Sequence, residues 1–390
     1  MAISQRVREF MQSASWIRRM FEEGAELRRV HGAENVFDFS LGNPDLDPPA
    51  AFLDLLEDEV RARRHGAHRY MPNAGFPETR AAIAARVAEQ HGVDPRAEGV
   101  VVTVGAAGAL NVALKALLDP GSEVIVLAPY FPEYRFYIDN HGGRMIVVPT
   151  DATFDLDLGA LEAALSPRTR AVIVNSPNNP TGRVYAPAKL EALARLVEAR
   201  APEATIITDE PYRRVVYDGA DPGSVLRATP RAAVATSFSK DLGLAGERIG
   251  FLAVHPEHPD RKELVAAATF ANRTLGFVNA PALMQRVIAR LGDVTVDLET
   301  YAARRRLFVD GLRAAGYECV TPEGAFFLFP KAPIPDDVAF VRALLRERIL
   351  VVPGTGFGTP GHFRISYAVP TATVERALPG FARALREVAG

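Results

Sequence analysis

Between about residue 100 and residue 256 the chain repeats one pattern that limits its fold more than any other feature. Short apolar runs rich in β-branched residues recur at Val100 to Val104, Val124 to Leu127, Met145 to Val148, Ala171 to Val174, Thr205 to Thr208, Ala233 to Ser237 and Ile249 to Val254. Each is too short for a helix, and several are apolar on both faces, as strands covered from two sides must be. The intervals carry helical spacing, as in Ala106 to Leu118, stopped by Asp119-Pro120-Gly121, and in Ala188 to Ala199. Strands alternating with helices predict an α/β fold built on a mainly parallel seven-stranded sheet.

After about residue 290 the texture changes. A charged amphipathic stretch from Asp297 to Ala315 precedes a Pro- and Gly-bounded apolar run, Gly324 to Phe329. A helix near Asp337 to Arg348, strands near Leu350 to Val352 and Phe363 to Tyr367, and a helix from Thr373 to Val388 complete a smaller α+β domain. The reading divides the chain into an N-terminal segment 1–45, a large domain 46–288 and a small domain 289–390. The amphipathic helix near Val7 to Val30 is expected to pack against the small domain. A length of 390 residues suits two domains.

A formal charge of −2 with no basic half gives nucleic acid and anionic membrane no obvious hold. No apolar run reaches the roughly 20 residues that span a bilayer. Met1 to Met20 carries Arg6, Arg8, Arg18 and Arg19 without an uninterrupted apolar core or cleavage site, so no export signal is read and a cytoplasmic location is expected. One cysteine, Cys319, excludes an intramolecular disulfide, and the histidines lack metal spacing. Small-molecule chemistry remains.

Four segments suggest which chemistry. Thr236-Ser237-Phe238-Ser239-Lys240 ends a strand in hydroxyls and a lysine, and Arg248 follows before Ile249-Gly250. Open α/β sheets bind ligands at that end of their strands. Hydroxyls and an arginine can hold a phosphate, and a lysine with a lowered pKa can attack a carbonyl; a solvated surface lysine fits the same residues. Asp209-Glu210-Pro211-Tyr212 puts a carboxylate and a phenol at another strand end, suited to a protonated ring nitrogen and a ring oxygen, or simply to a turn. Gly105-Ala106-Ala107-Gly108 opens a helix whose free N–H groups suit a phosphate, or makes only a tight turn. Asn175-Ser176-Pro177-Asn178-Asn179-Pro180-Thr181-Gly182 cannot extend its strand and reads as a fixed polar loop.

In this order the four segments resemble the class I/II aminotransferases, the aspartate aminotransferase family of pyridoxal 5'-phosphate (PLP) fold type I, and the resemblance runs from about Asp38 to the end. It implies a PLP-dependent aminotransferase that moves the amino group of an amino acid, of aspartate, alanine or aromatic type, to a 2-oxo acid such as 2-oxoglutarate by a ping-pong cycle. Lys240 is the implied covalent anchor of PLP and the proton shuttle. Asp209 is the partner of the pyridine nitrogen, and Tyr212 and Asn179 are the partners of the ring oxygen. Ser237 and Arg248, with the backbone amides of Ala106 and Ala107, are implied to bind the phosphate. Tyr70 is similar to the tyrosine that reaches the phosphate of a neighbouring subunit, which implies a homodimer with shared active sites. Phe131 stands where the family stacks an aromatic on the ring, often tryptophan. Arg364 matches the clamp on the substrate α-carboxylate, and Gly42 matches the glycine of the segment that closes over substrate.

The phosphate loop departs from relatives in having Gly105, Ala106 and Ala107 where a hydroxyl or lysine is frequent. No residue is assigned to a substrate side-chain carboxylate, and Arg273 has no motif that brings it to the site. Gly354-Thr355-Gly356-Phe357-Gly358 lacks the context of a dinucleotide loop. His255 and His258 are expected to be solvated, and the run Arg304-Arg305-Arg306, on an amphipathic helix, is expected to be a solvated face or to make subunit salt bridges. Two further readings share the same residues: a PLP-dependent lyase, decarboxylase or oxidase of this fold, and a non-catalytic PLP-binding regulatory module.

Overall fold

Strands apolar on both faces need a strand at each edge and a helix over each face, and the chain supplies both. The computed structural model describes residues 3–13 and 16–389. In chain order the strands are β1 (Phe37–Asp38), β2 (Val100–Thr103), β3 (Glu123–Ala128), β4 (Arg144–Pro149), β5 (Thr169–Asn175), β6 (Thr205–Asp209), β7 (Ala232–Ser237), β8 (Gly250–Val254), β9 (Phe327–Leu328), β10 (Ile349–Leu350), β11 (Val352–Pro353) and β12 (Phe363–Ser366). Two compact units emerge. The large one comprises Pro44–Leu298 with Glu323–Ala325, and the smaller one comprises the described residues up to Asn43, Glu299–Pro322 and the chain from Phe326. The division thus falls after Asn43 and Leu298, where the sequence reading put it after 45 and 288.

In the large unit a seven-stranded sheet runs β2-β8-β7-β6-β5-β3-β4. The expected α/β architecture is present: all pairs are parallel except those of β8, which runs against both neighbours. Val100, Val102, Ile125, Val172, Val174, Ile206 and Val234 bury into one face, and Val101, Val124, Val126, Ile173, Ile207, Ala235 and Leu252 into the other. Each fully buried aliphatic side chain of this kind contributes about 1.5–3 kcal/mol, so the two-sided pattern fixes the sheet. Because β8 alone is reversed, the C-terminal ends of the other strands and the N-terminal end of β8 share one edge.

The smaller unit has an aromatic core. Phe39 meets Phe308 and Phe381 at ring separations of 5.1 and 6.0 Å, and Tyr317 joins Phe340 and Phe363 to them. β1 pairs in parallel with β10, so the N-terminal segment belongs to this unit, while β11-β12-β9 form a second small sheet. The single strand expected at Leu350 to Val352 is two, because residues on either side of Val351 pair with different partners. The expected helix Val7 to Val30 is described as Gln5–Ser13 and Trp16–His31, with residues 14 and 15 outside the described residues.

Two expectations of solvation are corrected. Arg304 and Arg305 are buried on the helix Leu298–Ala315, where Arg305 Nη1 donates to the Pro322 carbonyl at 2.8 Å; only Arg306 faces out, to Glu299. His255 and His258 are also buried, and their Nδ1 atoms accept the backbone N–H groups of Glu257 and Asp260 at 3.0 and 3.1 Å. Burial drives the His258 imidazole down to about 4, which keeps it neutral. Among the described residues no cluster of His, Cys, Asp and Glu is suited to a metal, and no helix is long and apolar enough to cross a membrane.

Candidate active site

Asp209 closes β6 and is 5% exposed. Its Oδ2 accepts a short hydrogen bond from the Tyr134 hydroxyl, while Oδ1, equally buried, has no hydrogen-bond partner among the described residues. Burial pushes the carboxyl up to about 7, the Tyr134 hydroxyl pulls it back, and the neighbouring Glu210 charge adds to the rise. Such an acceptor is suited to a cation arriving from outside the chain.

The strand-end loops are tied to this carboxylate. Asn175, the last residue of β5, donates through Nδ2 to the Asp209 carbonyl at 2.8 Å and accepts the Asn179 N–H on Oδ1 at 2.7 Å. Asn178 turns the loop by accepting both the N–H and the hydroxyl of Thr181, at 3.1 and 2.8 Å. The polar loop is therefore fixed, as its composition suggested. The chain does turn at Pro211, where the Glu210 carbonyl accepts the Arg213 N–H at 3.2 Å, but Glu210 is buried. Its side chain lies against His91 at 3.3 Å and Arg213 at 3.2 Å; burial alone would raise its pKa, but the contacts with the His91 imidazole and the Arg213 guanidinium bring it down to about 2.

β7 ends at Ser237, and the turn beyond it presents Lys240 with Nζ 5.8 Å from the centre of the Tyr212 ring. The turn is held on both sides of the lysine. The Phe238 N–H reaches the Ile249 carbonyl at 3.2 Å, and the Asp241 carbonyl accepts from the Val296 N–H and the Thr295 hydroxyl, both at 2.8 Å. The buried Asp241 carboxylate pairs with Arg86 at 2.5 Å.

The reversed β8 brings Arg248 to the same edge. Gly250 registers against both Ser237 and Thr103, and a Cβ there would stand 2.5 Å from the Thr236 carbonyl and 2.6 Å from the Gly105 backbone. Arg248, left-handed at φ 53°, donates from Nη2 to the Val104 carbonyl at 3.4 Å. Gly105, at φ 76°, opens the helix Gly105–Leu117 beside that guanidinium, and the helix's first turn, which includes Ala106 and Ala107, leaves its N–H groups without intrahelical acceptors. Phe131 is half-buried and stands edge-on to Tyr134 at 5.6 Å.

One expected residue stands apart. Tyr70 is 89% exposed, although Met71, Pro72 and Asn73 behind it are tied down by Gln285, Asn279 and Asn272. Arg273 lies over the exposed Phe270 ring near the end of its helix.

In the smaller unit Arg364 lies on β12 and is 2% exposed. Its guanidinium sits 4.7 Å over the Phe327 ring and 4.8 Å over the Phe357 ring, and Nη2 donates to the Ser40 carbonyl at 2.5 Å. Gly42 abuts the same cluster, since a Cβ there would stand 2.6 Å from Phe327.

Residues 34–381 match the family model described as aminotransferase class I and II. The chain belongs to the class I and II aminotransferases. The enzyme therefore has the fold type I architecture of a family whose transamination depends on PLP. It is 36% identical over 391 residues to the aspartate/prephenate aminotransferase of Thermus thermophilus, with 98% of each chain covered. It is 31% identical over 402 residues to an aromatic-amino-acid aminotransferase of Thermococcus litoralis, covering 99% of each. The solved aminotransferase of Eubacterium rectale superposes with a TM-score of 0.95 at 38% identity over 99% of both chains.

The aminotransferase's large unit fits such a cofactor. A protonated ring nitrogen would satisfy the buried Asp209 Oδ1, and a phosphate would find Arg248, Ser237 and the first-turn amides at a backbone kept bare by Gly105 and Gly250. Sequence reasoning missed Tyr134, Asn175, Phe327 and Phe357. Asn175 opens the quoted polar loop and Tyr134 stands three residues beyond Phe131, and those spacings were the available signal. Phe327 and Phe357 carry none, since only the pairing of β9, β11 and β12 brings them to Arg364.

Proposed function

We propose that this aminotransferase holds PLP on Lys240 and moves the α-amino group of aspartate, alanine or an aromatic amino acid to a 2-oxo acid such as 2-oxoglutarate. The observation that carries the reading is the buried Asp209 Oδ1, an acceptor without a partner among the described residues, at the sheet edge that presents Lys240. The acidic and aromatic substrates are supported by the names of the Thermus and Thermococcus relatives.

When bound, the cofactor supplies an aldehyde for the amino group and a ring that accepts the electrons left as the substrate α-proton departs. Asp209 keeps the ring nitrogen protonated by ionising opposite it, and Tyr134 holds the carboxylate in place. Tyr212 and Asn179 donate hydrogen bonds to the ring oxygen. Lys240 would hold the cofactor through Nζ, and the same nitrogen would carry the substrate α-proton. Phe131 covers the ring face and excludes water. Ser237, Arg248 and the Ala106 and Ala107 amides bind the phosphate, and Arg364 engages the substrate α-carboxylate through the planar fork that suits it. Gly42 leaves room for the substrate-closing segment. The exposed Tyr70 serves the phosphate of a second copy, so the working unit is a homodimer.

A half-reaction screen tests this reading: holoenzyme is mixed with single amino acids, and the cofactor and keto acid are recovered. Stoichiometric keto acid with the cofactor in its aminated form supports transamination by that donor. Keto acid with the cofactor unchanged would assign the chain to elimination or oxidation instead, and no reaction with any amino acid would leave a binding module.

A further inference from the structure

A guanidinium held between two rings is fixed in its plane but free to turn within it. For Arg364, against Phe327 and Phe357, one in-plane restraint is the 2.5 Å bond from Nη2 to the Ser40 carbonyl. Where Ser40 is held therefore contributes to the direction of the guanidinium. Ser40 lies beyond β1 in an irregular stretch, and its side chain and N–H are both bound by one carboxylate: Asp38 Oδ1 accepts the Ser40 hydroxyl at 2.6 Å and the Ser40 N–H at 3.0 Å. The other oxygen, Asp38 Oδ2, is paired at 2.5 Å with Arg28 Nη2 from the helix Trp16–His31.

All four residues belong to the smaller unit, and their order is Arg28, Asp38, Ser40, Arg364. The geometry points to Arg28 and Asp38 as positioning residues for the substrate-carboxylate arginine, so that the N-terminal helix sets how well the α-carboxylate is held. This rests on the reading of Arg364 as that clamp. Two observations argue that the chain of contacts carries more than local stability. Phe39, between Asp38 and Ser40, is locked by its carbonyl to the Ser366 N–H at 2.9 Å and by its N–H to the Leu350 carbonyl at 2.9 Å, so the backbone there is anchored without the ion pair. Arg28 is 35% exposed and Asp38 13%, so the pair is part-buried at the margin of the apolar core, and its loss redirects Asp38 without opening that core.

Uniform loss of carboxylate binding raises KM without changing kcat, and that split is the expected signature. Asp38→Asn keeps an acceptor for Ser40 but loses the ion pair, and Arg28→Ala loses the same pair from the other side. Each is expected to raise KM for amino acids by about tenfold with kcat within about twofold of the parent. Arg28→Lys restores most of the loss. Half-reaction rates with a primary amine lacking the α-carboxylate stay unchanged in all three variants.

The experiment measures these constants in the holoenzyme alongside Arg364→Ala. If Arg364→Ala raises KM for amino acids while Asp38→Asn and Arg28→Ala do not, the positioning role is overturned and the clamp stands. If Arg364→Ala leaves KM unchanged, the clamp reading falls, and the positioning role with it. If the ion-pair variants slow the carboxylate-free amine as much as the amino acids, the residues act only on the fold, which also overturns the inference.

Discussion

The Tyr134 hydroxyl donates to Asp209 Oδ2 and leaves Oδ1 of the same buried carboxylate without a hydrogen-bond partner among the described residues. One carboxylate is thus half satisfied by the chain and half reserved. Tyr134→Phe removes the internal donor, which raises the Asp209 pKa further and weakens its hold on a ring cation. Loss of one hydrogen bond at a buried acceptor is expected to destabilise by about 1–3 kcal/mol. The lowered ionisation of Asp209 is expected to reduce kcat by at least about tenfold. Steady-state kinetics and urea unfolding of the variant check both.

The elevated Asp209 pKa makes a pH-dependent stability in the apoprotein. Unfolded, the carboxyl ionises near its ordinary value of about 3.9; folded, it ionises at about 7. Between those values the folded state holds the extra proton, so stability falls as pH rises from about 4 to 7 and is level above. At about 1.4 kcal/mol per pH unit the fall is on the order of 4 kcal/mol. Asp209→Asn is expected to lack this slope. The comparison is made by urea unfolding of the two apoproteins at pH 5 and pH 7.5.

Glu210 works in the opposite direction. Its folded pKa of about 2 lies below the ordinary value of 4.5, so its contribution is complete above that value and is lost as pH falls through 2. Removing one partner of a buried ion pair leaves an uncompensated charge, and Glu210→Gln is expected to destabilise by about 3–5 kcal/mol at neutral pH. Thermal unfolding reads this directly.

Gly250 has no room for a side chain, because backbone atoms of Thr236 and Gly105 lie 2.5 and 2.6 Å from where its Cβ would be. Gly250→Ala must push β8 away from β7 and β2 and carry Arg248 with it. The expected result is a loss of a few kcal/mol of stability, in the range of severe overpacking. A weakened affinity for PLP should accompany it, measured by titrating the apoprotein.

Much of this was legible in the sequence, for physical reasons that differ by residue. The seven strands were readable because two-sided burial demands continuous apolar runs, and Asp209, Asn179, Ser237 and Lys240 drew notice because each stands at the end of one of them or a few residues beyond. The direction of β8 was not readable, since an apolar run is the same in either sense, yet that reversal brings Arg248 beside Gly105. His255, His258, Arg304 and Arg305 were misread as solvated because polarity was taken for exposure. Each is buried with a specific partner, backbone N–H groups or the Pro322 carbonyl among them, that only the folded chain brings near. Gly354-Thr355-Gly356-Phe357-Gly358 was set aside for want of a dinucleotide loop's context, and its place in the site went unread. Its use lay in Phe357, whose partner Arg364 is fixed by strand pairing alone.

The most direct test of the account is where the cofactor is attached. Holoenzyme reconstituted with PLP is reduced with borohydride, digested and mapped by mass spectrometry, with Lys240→Ala treated in parallel. The account expects a phosphopyridoxyl group on Lys240, and none on the variant. Modification of another lysine in the native enzyme, or full amino-group transfer by Lys240→Ala, would contradict it.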